Sequence, residues 1–188
     1  VFLTAVMTGC GGSESGPNEI TSFSHLQSIS FESDRYSIIV GNTLAVSVSE
    51  GAGSGDISYE TSDASVASVS SDGLISAHSV GEVTITATKA ADSLYASASD
   101  TAEVTVTPKL EQTIAFESAN IDLIITNDLQ LQIVGGEGSG AIIFESSDPG
   151  IASVSSSGVV SAIGLGSVTI TATKVADATF AAATASIT

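Results

Sequence analysis

Residues 83–89 read VTITATK, and residues 168–174 read VTITATK again, 85 positions later. Within the first copy Val83, Ile85 and Ala87 alternate with Thr84, Thr86 and Thr88. Alternation of period two places one face on a core and the other in water, the pattern of an antiparallel sheet. β-Branched side chains suit that pleated surface and lose rotamer freedom in a helix, so helices should be scarce. Working outward, the same offset carries QSISFES at 27–33 onto QTIAFES at 112–118, GSG at 53–55 onto 138–140, and ASVS at 67–70 onto 152–155. Between 27–99 and 112–184, 36 of 73 positions are identical without a gap, so the chain holds two copies of one unit. A period this long exceeds a single solenoid repeat and suits a small autonomous domain.

In the first copy Leu44, Val46 and Val48 alternate with Ala45, Ser47 and Ser49. Strands are predicted at about 28–32, 36–40, 43–49, 57–61, 66–70, 73–78, 82–88 and 102–107. Gly73, and Gly158 in the second copy, stand where a tight hairpin needs positive φ. Short, regularly spaced strands with turn signals between them argue for an all-β fold of two tandem β-sandwich domains, at 27–107 and 110–188. Pro108 and Lys109 form the linker, whose brevity and proline should restrict bending. The second copy ends in AAATASIT where the first has ASASDTAEVTVTP; its ASIT aligns with AEVT only across a two-residue deletion, and the last strand is expected to be truncated.

These residues resemble the bacterial immunoglobulin-like domains of group 2, found in invasin- and intimin-type adhesins and in surface lipoproteins. The matching pattern is Ser62, Asp63, Val66, Ala67 and Val69, then Gly73, Gly81, Val83 to Thr88, Tyr95 and Val104 to Val106. The second copy matches at Ser147, Asp148, Ile151, Ala152, Val154, Gly158, Gly166, Val168 to Thr173 and Phe180. The resemblance implies an immunoglobulin-like sandwich used mostly as a spacer and sometimes as a binding module.

Composition narrows the function. Twenty-one acidic residues stand against Arg35, Lys89, Lys109 and Lys174, a formal charge of −17. Four basic residues cannot neutralise a run of phosphates, so nucleic acid is not an expected partner, nor is an anionic membrane surface held through charge. The acidity should keep an exposed Thr-rich sheet soluble and unassociated. A single cysteine, Cys10, leaves no intramolecular disulfide, so each sandwich must hold by packing.

Cys10 follows an apolar run, VFLTAVM at 1–7, and precedes GGSESGPNE at 11–19. The run is too short to span a bilayer, which takes about 20 residues. It resembles the lipobox of bacterial lipoproteins, with Met7 where the pattern usually has Leu, Val or Ile. The resemblance implies a truncated signal peptide at 1–10, lipidation of Cys10, and a Gly/Ser-rich tether at 11–26. The absence of an initiator Met and a basic segment ahead of Val1 leads us to expect the true start upstream. Gly11, in place of the aspartate that favours inner-membrane retention, implies the outer membrane, with the protein exposed at the surface or facing the periplasm.

Residues capable of chemistry are few. His25 falls in the expected tether and His78 at a strand end, and a catalytic role would need a partner base or nucleophile within hydrogen-bond reach. The glycine-rich segments 51–55 and 135–140 are followed by strands rather than by Lys-Ser/Thr and a helix, and read as flexible loops, not phosphate cradles. Asp63 and Asp92 recur as Asp148 and Asp177. Calcium between the domains is one reading, but no D-x-D-x-D-G run is present, and Asp63 reads better as a turn cap on its own loop's amides. Tyr59 and Tyr95 become Phe144 and Phe180, so ring bodies rather than hydroxyls matter and core anchors are expected. Phe23 and Tyr36 are the aromatics open to a carbohydrate-stacking role.

The expected function is therefore a non-catalytic stalk without cofactor, anchored to membrane through lipid on Cys10. The alternatives are a module that binds a protein or glycan partner at the cell surface, and accessory domains of a surface enzyme.

Overall fold

A computed structural model describes residues 25–118 and 120–188; Cys10 and Phe23 lie outside the described residues. The first domain has seven strands: β1 (Arg35–Ile39), β2 (Thr43–Ala45), β3 (Ile57–Thr61), β4 (Ala67–Val69), β5 (Leu74–Ala77), β6 (Gly81–Lys89) and β7 (Ala98–Thr107). They form one sheet ordered β1-β7-β6-β3 and another ordered β2-β5-β4. β1 runs parallel to β7, and the remaining pairs are antiparallel. The sheets enclose a core in which Ile75, Ile85, Val104 and Val106 are all but inaccessible.

The VTITATK alternation is realised as read. Val83, Ile85 and Ala87 are buried, and Lys89 continues the inward series, its ammonium donating to the Gly55 carbonyl at 2.8 Å. The hairpin glycines also behave as expected, with φ of 81° at Gly73 and 82° at Gly158. A Cβ on Gly73 would strike the Val46 carbonyl, so the site requires glycine twice over.

The predicted strand at 28–32 reduces to a single antiparallel bridge between Phe31 and Val48. Side-chain acceptors interrupt the ladder there: Asp100 accepts from the Phe31 amide at 2.8 Å, and Ser49 Oγ accepts from the Ser30 amide at 2.8 Å. The strand predicted at 43–49 shortens to β2, although the burial alternation persists through Val48. β7 begins at Ala98 rather than at 102, because Ala98–Thr101 continue the ladder with Thr86–Lys89.

The second domain has β8 (Ile114–Phe116), β9 (Asp128–Gln130), β10 (Ile133–Gly135), β11 (Ile142–Ser146), β12 (Ala152–Val154), β13 (Val159–Ala162), β14 (Ile170–Lys174) and β15 (Ala183–Ile187). Its sheets are ordered β11-β14-β15 and β12-β13-β9, with β10 and β8 paired separately. Ile170 lies opposite Ile187 as Ile85 lies opposite Ala102. The offset of 85 therefore runs through the last strand unbroken, and the two-residue deletion suggested by ASIT and AEVT is not made. The burial of Ala183 and Ile187 holds this register, since a slip of one residue would turn both outward.

Each domain is entered by the same device. His25 bridges Tyr95 and Leu110 bridges Phe180, both in parallel. The first domain thus begins at His25, two residues ahead of the expected boundary at 27, so His25 does not belong to the tether. Across the Pro108–Lys109 linker, the Asn42 side-chain amide donates to the Ala178 carbonyl at 3.0 Å.

Candidate functional site

The polar constellation shared by both copies joins a glycine-rich loop to an aspartate 38 residues beyond its serine. One oxygen of Asp92 accepts from the Ser54 amide at 2.7 Å and from the Ser54 hydroxyl. The other accepts from the amides of Leu94 and Tyr95, each at 2.8 Å. Asp177 repeats the clasp with Ser139, Thr179 and Phe180. These amide donors, Ser54 foremost, lower the Asp92 pKa to about 2. The Phe180, Thr179 and Ser139 amides hold Asp177 lower still.

The clasp gives the glycines their purpose. Gly53 has φ of 82° and Gly138 has φ of 74°, and a Cβ on either would collide with the clasping aspartate and with the ring of Tyr95 or Phe180. The loops expected to be flexible are therefore pinned by a carboxylate with four donors around it. Both halves of this motif recur in the sequence at the same spacing, and that joint recurrence is the signal that could have linked them. Tyr95 and Phe180, expected as core anchors, are half-buried lids over these loops, and the His25 ring lies 5.7 Å from that of Tyr95.

Asp63 caps its own turn as expected, accepting from the Ser65 amide at 2.8 Å and the Ser65 hydroxyl at 2.6 Å, bonds that lower its pKa. Asp148 does the same with the Gly150 amide at 2.9 Å. Among the described residues no three His, Cys, Asp or Glu side chains gather closely enough to hold a metal ion.

Ser68 Oγ and His78 Nε2 lie 2.8 Å apart on an exposed face. Among the described residues, no side chain bonds the other ring nitrogen to orient the imidazole as a base requires. The pair is Ser153 and Ile163 in the second copy, so it belongs to one domain alone. Tyr59 and Phe144 are core anchors, packed against the buried clusters of their domains. Tyr36 is half-buried with its ring edge-on to Phe31, 6.4 Å between centroids, rather than an open stacking platform.

The main concavity is a cavity of about 530 Å³ in the second domain, bounded by Ile121, Leu123, Leu131, Val160, Val168 and Ile170. Sequence reading did not foresee it, because the residues that line it read as ordinary core.

Residues 25–98 match the bacterial Ig-like domain (group 2), and residues 129–179 match the intimin immunoglobulin-like domain. No curated protein matches the chain in sequence. Among solved structures it is similar to the S-layer protein SbsC, at 19% identity over 71% of this chain and 20% of that one, with a TM-score of 0.38. It is also similar to Drosophila N-cadherin EC1-4, at 14% identity over 86% and 49%, TM-score 0.31. A SusE-like surface located polysaccharide binding protein from Bacteroides thetaiotaomicron aligns at 16% identity over 84% and 32%, TM-score 0.35. The chain spans a fifth of the SbsC structure. The two family matches, falling on the two copies of one sandwich, identify the chain as a tandem of bacterial immunoglobulin-like domains of the invasin and intimin type.

Proposed function

We propose that these domains are a non-catalytic spacer in a bacterial cell-envelope protein, tethered through lipid on Cys10 in the outer membrane. The observation that supports this reading is what the two copies share. The recurring carboxylates close their own loops, the recurring aromatics cover core or loop, and the Ser68–His78 pair is not repeated. An array selected for a ligand would be expected to repeat its polar site; an array selected for length repeats its scaffold. The two-residue linker and the Asn42–Ala178 bond favour a tandem with restricted bending.

Two measurements test the proposal. In a Cys10→Ser background, dyes on cysteines placed at the equivalent exposed positions Ser99 and Thr184 should give one narrow distance distribution, the same with calcium as with chelator. A broad or calcium-dependent distribution overturns the spacer reading. In the native host, metabolic labelling with a fatty-acid analogue should be lost in Cys10→Ser, and undiminished labelling removes the anchor.

A further inference from the structure

The cavity in the second domain has an internal control in the first. There Glu103–Thr107 lie between β1 and β6, parallel to Arg35–Ile39 and antiparallel to Gly81–Thr84. Val104 and Val106 point inward from this stretch and are 0% and 1% exposed. In the unbroken register of the second domain, Thr188 is the counterpart of Glu103. The segments that would flank such a strand, 120–124 and 166–169, form no ladder, and Ile124 is 76% exposed where its counterpart Ile39 is half-buried. The cavity lies between them, walled by Ile121 and Leu123 on one side and Val168 and Ile170 on the other. Two rows of unpaired backbone groups with an apolar slot between them are what an added β-strand needs: the main chain supplies affinity and alternate side chains supply fit.

We propose that this slot is an acceptor site for an extended peptide strand supplied in trans by another polypeptide. The strand lies parallel to 120–124 and antiparallel to 166–169, with aliphatic β-branched residues at alternate inward positions. Its chemistry is that of Glu103–Thr107, whose two valines fill the same place in the first domain. The site is independent of the anchor and spacer assignments and survives their failure.

The test uses the 188-residue chain and a fluorescein-labelled synthetic peptide, AEVTVTPK, the sequence of residues 102–109. Fluorescence anisotropy should show saturable one-to-one binding, with new amide-exchange protection confined to 120–124 and 166–169. A peptide carrying Asp at both valine positions should bind more than about tenfold more weakly, since it would bury charge in an apolar slot. A chain extended after Thr188 by Val-Thr-Val-Thr should be occupied by its own extension and should no longer bind the peptide. Absence of saturable binding, indifference to the valine-to-aspartate change, or protection elsewhere overturns the proposal. Stabilisation by the fused extension without binding of the free peptide overturns supply in trans.

Discussion

The two domains share their core-facing residues and register yet differ in one sheet. In the first, β7 continues through Glu103–Thr107 and brings β1 into the sheet and β6 out to Gly81. In the second, β15 ends at Ile187, its sheet has three strands, and β14 begins only at Ile170. The strand character of 35–39 and 81–84 thus depends on a partner as much as on its own residues, for IDLII at 121–125 and SVT at 167–169 have ample β-propensity and form none. A strand is a property of a pair.

The largest expected effect tests whether this difference reaches the core. Ile85 is fully buried in the completed sheet, while Ile170, at 4% exposure, borders the cavity. Ile85→Ala should cost the first domain about 2–5 kcal/mol, and Ile170→Ala should cost the second less, because less packing surrounds it to be lost. Thr86→Ala, on the opposite face, should cost under ~1 kcal/mol. Urea unfolding resolves the domains, since all three tyrosines, Tyr36, Tyr59 and Tyr95, lie in the first; tyrosine fluorescence follows that domain and circular dichroism follows both. Equal losses for Ile85→Ala and Thr86→Ala would reverse the face assignment, and equal losses for the two isoleucines would erase the contrast between the cores.

Sequence reading reached the sandwich because its decisive evidence is local and periodic. VTITATK states its own inward face, and an ungapped offset states the domain count. What it missed depends on partners distant in sequence. Phe31 carries the apolar signal of a strand but gives its amide to Asp100, 69 residues away. Tyr95 looks like core by its exchange for Phe180, yet its ring covers a glycine turn. The tail AAATASIT was misaligned because small residues match in several registers, and only the burial of Ala183 and Ile187 chooses among them. Asp92 and Ser54 were each noticed, but nothing local says that they meet.

A smaller effect concerns acid stability, where the clasps should part company. A carboxylate whose folded pKa lies below its unfolded value, ~3.9, adds stability that is present above that value and lost as pH falls through the folded pKa. For Asp92 that window runs from about pH 4 down to about 2. Asp177 is depressed further, so its contribution should outlast that of Asp92 on acidification. Tyrosine fluorescence during acid titration should show the first domain loosening across this window, and Asp92→Ala should remove that slope while lowering the midpoint at pH 7. A slope unchanged in Asp92→Ala would mean that other carboxylates govern acid unfolding.

The smallest effect isolates one backbone position at which the copies disagree. Gly41 has φ of 85°, and its counterpart Thr126 has φ of 77°, the one non-glycine residue of positive φ among those described. Both sit in the same turn, closed by Asn42 N to Ile39 O at 3.1 Å and by Asn127 N to Ile124 O at 3.0 Å. A β-branched residue is poorly suited to the left-handed region, where such strain costs about 1–3 kcal/mol. Thr126→Gly releases that strain but loosens the unfolded chain by about 0.4–1 kcal/mol, so the second domain should gain roughly 1 kcal/mol. Space does not confound the comparison, since a Cβ at Gly41 would meet no atom within 4 Å and Thr126 is exposed. Gly41→Thr should therefore weaken the first domain by a similar amount, read as a lower urea midpoint in tyrosine fluorescence. Thr126→Asn should fall between threonine and glycine, because asparagine tolerates positive φ better than a β-branched residue does. If Thr126→Ala stabilised the second domain as much as Thr126→Gly, the gain would come from removing the branched side chain rather than from freeing φ, and the turn would no longer distinguish the two domains.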